Sequence, residues 1–252
     1  MNFLYNNKSL IRVLQVTVWL YIIIYICSAV QIFMRQGDPI KFHPDAIGLL
    51  GENSQYYIQL LITLVNAFVS LAFCILFIVW FYRAYENVSK ADPAKATIAT
   101  GWAIGCWFVP IMNLFRPLRI MLEIWHGTQT AGEEPDRPLT AERSIQVNAW
   151  WYCWTFGLAI GLLGTYLQIR GISSFNFEEF PDYEEWRQNS IQAFKKVQFI
   201  LLVSSILQLI SLYMLNQLLN RLSKFEAELR ERLFIAFSRQ PTSYEPPVDL
   251  PR

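Results

Sequence analysis

Four long stretches of this chain contain no Asp, Glu, Lys or Arg: residues 13–34, 56–82, 147–167 and 197–219. A bilayer core takes roughly 20 apolar residues of helix to cross, and each stretch meets that length. One arginine at the centre of a spanning helix costs about 2.5–3.5 kcal/mol on the insertion scale, so runs this free of charge read as membrane spans. Helical periodicity adds nothing within them, because a lipid-facing helix is apolar all round. The pattern predicts an all-α integral membrane protein with four transmembrane helices. Lys8 and Arg12 precede the first run, as they would in a cleaved signal peptide. Its length exceeds the roughly 7–15-residue core of such a peptide, and the small residues Cys27, Ser28 and Ala29 sit inside it. An uncleaved anchor is expected.

A fifth charge-free stretch, residues 96–115, contains Gly101, Gly105, Pro110 and Asn113, with Pro117 just beyond. Proline removes a backbone donor and clashes with the preceding turn. Lysine and arginine concentrate in cytoplasmic loops, so their distribution decides the span count. Four spans place fifteen of them inside: two before the first span, seven between the second and third, six after the fourth. Six then lie outside, whereas five spans would give nine inside against twelve outside. The four-span arrangement wins. It puts both termini in the cytoplasm and makes residues 96–126 a proline-broken segment on the cytoplasmic side, re-entrant or interfacial. Irregular backbone at membrane depth needs shielding by protein or a watery cavity.

Composition agrees. Only 16% of the 252 residues are charged and 54% are hydrophobic, where a soluble domain carries roughly a quarter charged. A net charge of +1 offers no field for nucleic acid. Cys27, Cys74, Cys106 and Cys153 each sit in an apolar run without metal-ligand spacing; they read as small packing side chains, and no cofactor is implied. His43 and His126 are the only histidines and fall on opposite sides of the membrane. The motifs of zinc proteases, serine hydrolases and phosphate-binding loops are missing, so the reading leans away from an enzyme.

Residues 79–128 read VWFYRAYENVSKADPAKATIATGWAIGCWFVPIMNLFRPLRIMLEIWHGT. The order of Trp80, Arg83, Tyr85, Asn87, Trp102, Trp107, Pro110, Asn113, Arg116, Pro117, Glu123 and Trp125 resembles the hallmark of a bacterial membrane family known as domain of unknown function number four-three-two-eight. Phe115 stands where that family often places tryptophan, keeping the bulk and losing an indole donor. The resemblance implies a multi-span protein of the bacterial cytoplasmic (inner) membrane and assigns no activity, cofactor or catalytic residue.

By its residues alone, the segment predicts two short helices, about 98–109 and 114–125, parted by Pro110-Ile111-Met112-Asn113. Asn113 is placed to cap the second. Arg116, Arg119, Glu123 and His126 follow on it, with Arg119 and Glu123 four apart on one face. Two accounts stay open. A re-entrant hairpin would aim a helix start at a polar path, as in channels and transporters. An interfacial cuff would hold Trp102, Trp107 and Trp125 at headgroup depth, with Arg116 and Arg119 on lipid phosphates.

Elsewhere, Asn66 and Ser70 share a face of the second span, and Ser204, Ser205, Gln208 and Ser211 mark the fourth. They either line a hydrated path or hydrogen-bond between helices, and the second is favoured. Gly157, Gly161 and Gly164 suggest close helix packing within the chain, with dimerisation as the alternative. Phe175 to Trp186 mixes five acids with five aromatics, as a solvated cap or a cation or partner site. Leu215, Leu218, Leu222, Phe225, Leu229 and Leu233 predict that the fourth span continues as a cytoplasmic helix over 220–237, supported by Glu226–Arg230 and Glu228–Arg232 pairs. A disordered tail is expected over 238–252. The functional expectation is a non-enzymatic membrane protein acting by association with itself or another membrane component, with membrane lipids as partners. A pore using the Pro110–Asn113 break is the alternative, and a lipid-modifying enzyme the weaker third.

Overall fold

The computed structural model describes residues 4–34, 54–132, 141–174 and 183–238. His43, residues 175–182 of the acidic and aromatic stretch, and the tail from 239 lie outside them. The described residues are helical, with no strand. In order they form α1 (Lys8–Met34), α2 (Ser54–Ala91), a 3-10 turn (Pro93–Lys95), α3 (Trp102–Gly105), α4 (Pro110–Asn113), α5 (Arg116–Thr130), α6 (Ile145–Ser174) and α7 (Tyr183–Ser238). Four of these, α1, α2, α6 and α7, are long and apolar enough to cross a membrane. The 56 residues of α7 run roughly 80 Å, more than twice the roughly 30 Å of a hydrocarbon core. Residues 220–238 continue past the charge-free run as helix.

Proline writes the breaks between α2 and α5. Asp92 precedes Pro93, adopts extended backbone and accepts from the Ala94 amide at 3.1 Å, which stops α2 and starts the 3-10 turn. Val109 is extended before Pro110, which opens α4, and Pro117 sits at the start of α5. The sequence predicted one helix over 98–109 and another over 114–125. The first is a single turn, α3, followed by a separate turn, α4, and the second is α5. A glycine in the left-handed region, Gly132 (φ 73°), follows α5.

The spans pair as two hairpins. In α6 and α7 the glycines let the backbones close up: a Cβ on Gly157 would lie 2.9 Å from Gln208 Nε2, and one on Gly161 2.8 Å from Ser204 Oγ. Polar side chains of α7 then reach the α6 backbone, Ser204 Oγ donating to Gly157 O at 2.8 Å and Gln208 Nε2 to Trp154 O at 3.3 Å. The glycine stripe is consumed inside the chain. In α1 and α2 the contact is aromatic, with Tyr21 stacked on Phe73 at 6.2 Å. Ser70 turns its hydroxyl back onto Asn66 O of its own helix.

Buried side chains gather at one pole. They come from the start of α1 (Ile11, Leu14, Val18), the end of α2 (Phe77 to Val88), α3, α5, the start of α6 (Val147, Trp150, Trp151) and the lower part of α7 (Leu212 to Leu229). This is the pole that holds the broken segment.

Candidate functional site

Glu123 organises the broken segment. It projects from α5 toward the chain leaving α2, where its carboxylate gathers four donors. Tyr85 OH reaches Oε2 at 2.7 Å and the Thr97 amide reaches the same oxygen at 3.0 Å. The Thr97 hydroxyl and Arg119 Nε meet Oε1, the latter at 3.3 Å. The Tyr85 phenol also bridges both backbone groups of Ile98, accepting from its N–H at 2.9 Å and facing its C=O at 2.8 Å. Two hallmark positions, Tyr85 and Glu123, thus combine with Thr97 and Arg119 in a strap that ties residues 97–98 to α2 and α5. A carboxylate this saturated with donors is a structural anchor rather than a free acid or base.

Around the strap, α3 and α4 carry Trp107 inward. Its ring packs edge-on against Phe77 (5.4 Å), Phe81 (5.6 Å), Trp151 (6.2 Å) and Trp154 (6.0 Å). Phe77 lies five residues inside the second charge-free run, roughly 7–8 Å along the helix, so the segment reaches only a turn or two past the end of that run. Its outer side is apolar: Phe108 is 72% exposed and Ile111 76%, with Phe115 beside them. Arg116 lies over the Trp102 ring at 4.7 Å, a cation–π contact that holds the guanidinium at the rim. Asn113 does not cap α5. The residue before that helix is Phe115, with no side-chain cap, and Asn113 Nδ2 points back to Trp107 O at 3.4 Å. Asn113 Oδ1 and Trp107 Nε1 are buried without hydrogen-bond partners.

The other candidate residues spread around this frame. Trp125 is buried against Phe225 of α7 and donates its indole N–H to Glu142 O at 3.0 Å. Pro117 is buried, while Pro110 and His126 are exposed. Asn87 takes a different partner from the rest. Its carboxamide pairs with the Tyr5 backbone, accepting from N at 2.7 Å and donating to O at 3.0 Å. Arg83 lies over the Tyr5 ring at 5.2 Å. No pattern in the sequence singles out Tyr5, yet it is strapped across the end of α2. Sequence spacing also paired Glu226 with Arg230 and Glu228 with Arg232 along the surface of α7. Instead Glu226 turns inward onto Asn7, and Arg230 donates to the Glu226 carbonyl. Arg232 reaches α5, capping the Thr128 and Gln129 carbonyls at 2.8 and 2.7 Å. The extension of α7 thus folds onto the broken segment. Among the described residues, no three His, Cys, Asp or Glu side chains are placed to hold a metal ion.

Four apolar helices of spanning length, broken by a proline-punctuated insertion, define a multi-pass helical membrane protein. The profile of the family "Domain of unknown function (DUF4328)" matches residues 53–224, and the chain belongs to that family. The match takes in α2 to α6 and most of α7, and leaves out α1 and the N-terminal strap. No curated protein and no solved structure matches the chain.

Proposed function

We propose that this chain is a non-enzymatic protein of the bacterial cytoplasmic membrane, with both termini in the cytoplasm, that works by associating with itself or another membrane component. The observation that carries this reading is the fate of its polar groups. Those of α7 that could line a path donate instead to backbone carbonyls, Ser204 and Gln208 to α6 and Ser205 to its own helix, and Tyr85, Thr97 and Arg119 close on the Glu123 carboxylate. What the spans offer outward is apolar surface, with Phe68 73% exposed and Leu162 64%. Residues 96–126 act as an interfacial cuff: Phe108, Ile111 and Phe115 enter the acyl layer of the cytoplasmic leaflet, and Arg116 and Arg119 meet lipid phosphates.

Two measurements test this. Reporters fused after Thr130 and after Pro181 report opposite sides of the membrane; the same side for both refutes the topology. Cross-linking in native membranes, followed by mass determination of the purified species, yields a homo-oligomer or a defined membrane partner. A chain that stays solitary at native abundance refutes association. A second reading keeps one observation of its own, the unpartnered Asn113 Oδ1 and Trp107 Nε1 at the helix break, which a permeating solute or water would satisfy. Liposomes holding the purified protein then pass ions or small solutes, and Asn113→Leu stops the flux. The third reading, a lipid-modifying enzyme, finds its acid already saturated by donors.

A further inference from the structure

Asn7 and Glu226 meet where the start of α1 crosses the lower part of α7. Asn7 is fully buried and Glu226 is 4% exposed. Asn7 Nδ2 donates to Glu226 Oε1 at 2.8 Å, while the other oxygen of each group, Asn7 Oδ1 and Glu226 Oε2, is buried without a partner. Two unmet acceptors in one dry contact are unfavourable, and more so when one belongs to a charged carboxylate. A single proton answers both, because a protonated carboxyl gains an O–H donor and the carboxamide oxygen is an acceptor in want of one. We propose that Glu226 is held here as a neutral carboxylic acid, closed onto Asn7 in a two-hydrogen-bond ring, and that loss of its proton releases the start of α1 from α7.

The surroundings favour the neutral form. On α7 the charge that bears on Glu226 is Arg230, one turn further on, and its Nε is occupied by the Glu226 carbonyl at 3.2 Å. From the N-terminal side, Lys8 is exposed. At the end of α2, Arg83 and Lys90 lie on the Tyr5 ring, and Lys90 pairs with Glu86 at 3.0 Å. On α5, His126 is exposed and the helix meets α7 through Trp125 and two carbonyls. Burial raises the Glu226 carboxyl from 4.5 to about 7, against the opposing pull of Asn7 and Arg230. The closed ring therefore holds its proton more tightly than an opened one. Its stability is fullest in acid, falls as pH rises from about 4.5 to about 7, and levels off above that. Tyr5 stays pinned to α2 by Asn87, so what loosens is the seam between the α1/α2 and α6/α7 hairpins, where Gln15 and Asn220 form the next bond at 2.7 Å.

The test is amide hydrogen exchange of the full chain in lipid nanodiscs, read in peptides covering residues 4–12. Wild type is compared with Glu226→Gln at each pH, so that intrinsic exchange chemistry cancels. The carboxamide of that variant keeps a donor for Asn7 Oδ1 at every pH. The ratio of wild-type to Glu226→Gln exchange is near one at about pH 5 and rises several tens of times by about pH 8. A ratio that stays flat overturns the proposal. So does a ratio that follows Na⁺ or K⁺ at constant pH, which would assign the two oxygens to a cation. Should Glu226→Gln not fold, infrared spectra of the wild type decide. A protonated-carboxyl C=O band that titrates away near pH 7 supports the ring, and its absence at pH 5.5 overturns it.

Discussion

The two ends of this bundle are built on different principles. At the pole that holds the broken segment, Trp80, Phe81, Tyr85, Trp125 and Leu218 are fully buried, packed among the start of α1, the end of α2, α3, α5 and the lower part of α7. Along the rest of the spans each helix touches its hairpin partner by one stripe and leaves the remainder uncovered. Phe68, Leu162 and Phe199 all face outward. Water accounts for the contrast. At the pole, burying an apolar ring removes it from water and stabilises the fold. Within lipid the surroundings are as apolar as leucine, so contact gains only packing and hydrogen bonds. The core sits where the solvent rewards having one.

The same kind of deletion at the two sites puts this to the test. Trp125→Ala removes a fully buried ring and its bond to Glu142 O, and lowers stability by about 3–5 kcal/mol. Phe68→Ala removes a ring that is 73% exposed and changes stability by less than about 0.5 kcal/mol. Reversible unfolding in mixed detergent micelles measures both. A large loss for Phe68→Ala together with a change in oligomer mass would show that protein, rather than lipid, covers that face.

Glu123→Gln comes next. The amide keeps one acceptor oxygen and presents N–H groups to Tyr85 OH, the Thr97 hydroxyl and amide, or Arg119 Nε, so donors are left facing donors. The expected loss is about 1.5–3 kcal/mol, with the 92–98 strap released first. Faster proteolysis at Lys95 reports that release, and an unchanged digestion pattern would remove Glu123 from its anchoring role. Gly127→Ala follows, at about 1–3 kcal/mol. Its Cβ would fall 2.4 Å from Val88 Cγ1, and a β-branched side chain in a helix has little freedom to move aside. Gly101→Ala is the control: a Cβ there meets nothing within 4 Å, and melting temperature holds or rises.

These contacts explain what could be read from the chain and what could not. The spans were legible because absence of charge over 20 residues is a local property of the sequence. Arg119 and Glu123 were legible because four residues is one helical turn. Tyr85 is 38 residues from Glu123 and Asn7 is 219 from Glu226, and no periodicity links either pair. Asn113 misled for a related reason. Its type and position suit a cap, but proline at 110 and again at 117 breaks the backbone into separate turns, and Asn113 ends a turn instead of starting a helix. Glu226 and Arg232 carry the spacing of a surface ion pair with their neighbours, and both are drawn off by partners that only the tertiary fold supplies.

The smallest effect expected of a buried contact tests the membrane half. Ser204 Oγ donates to Gly157 O at 2.8 Å, deep in the α6–α7 contact, where intuition assigns a hydrogen bond in lipid a large value. Measured couplings of this kind average only about 0.6 kcal/mol and reach about 1.7, because the separated helices in a bilayer find other partners. Ser204 has one of its own, since a serine hydroxyl can turn back to a carbonyl four residues earlier, as Ser205 does onto Leu201 O at 2.7 Å. Ser204→Ala should therefore cost about 0.6 kcal/mol, and less than Gly161→Ala, whose Cβ would lie 2.8 Å from the Ser204 hydroxyl. Making both changes together separates packing from hydrogen bonding. Alanine at 204 removes the oxygen that the new Cβ would strike, so the double variant recovers part of the Gly161→Ala loss. If instead the two losses simply add, close approach of the backbones is not what the glycines provide, and the contrast between the two ends of the bundle needs another cause.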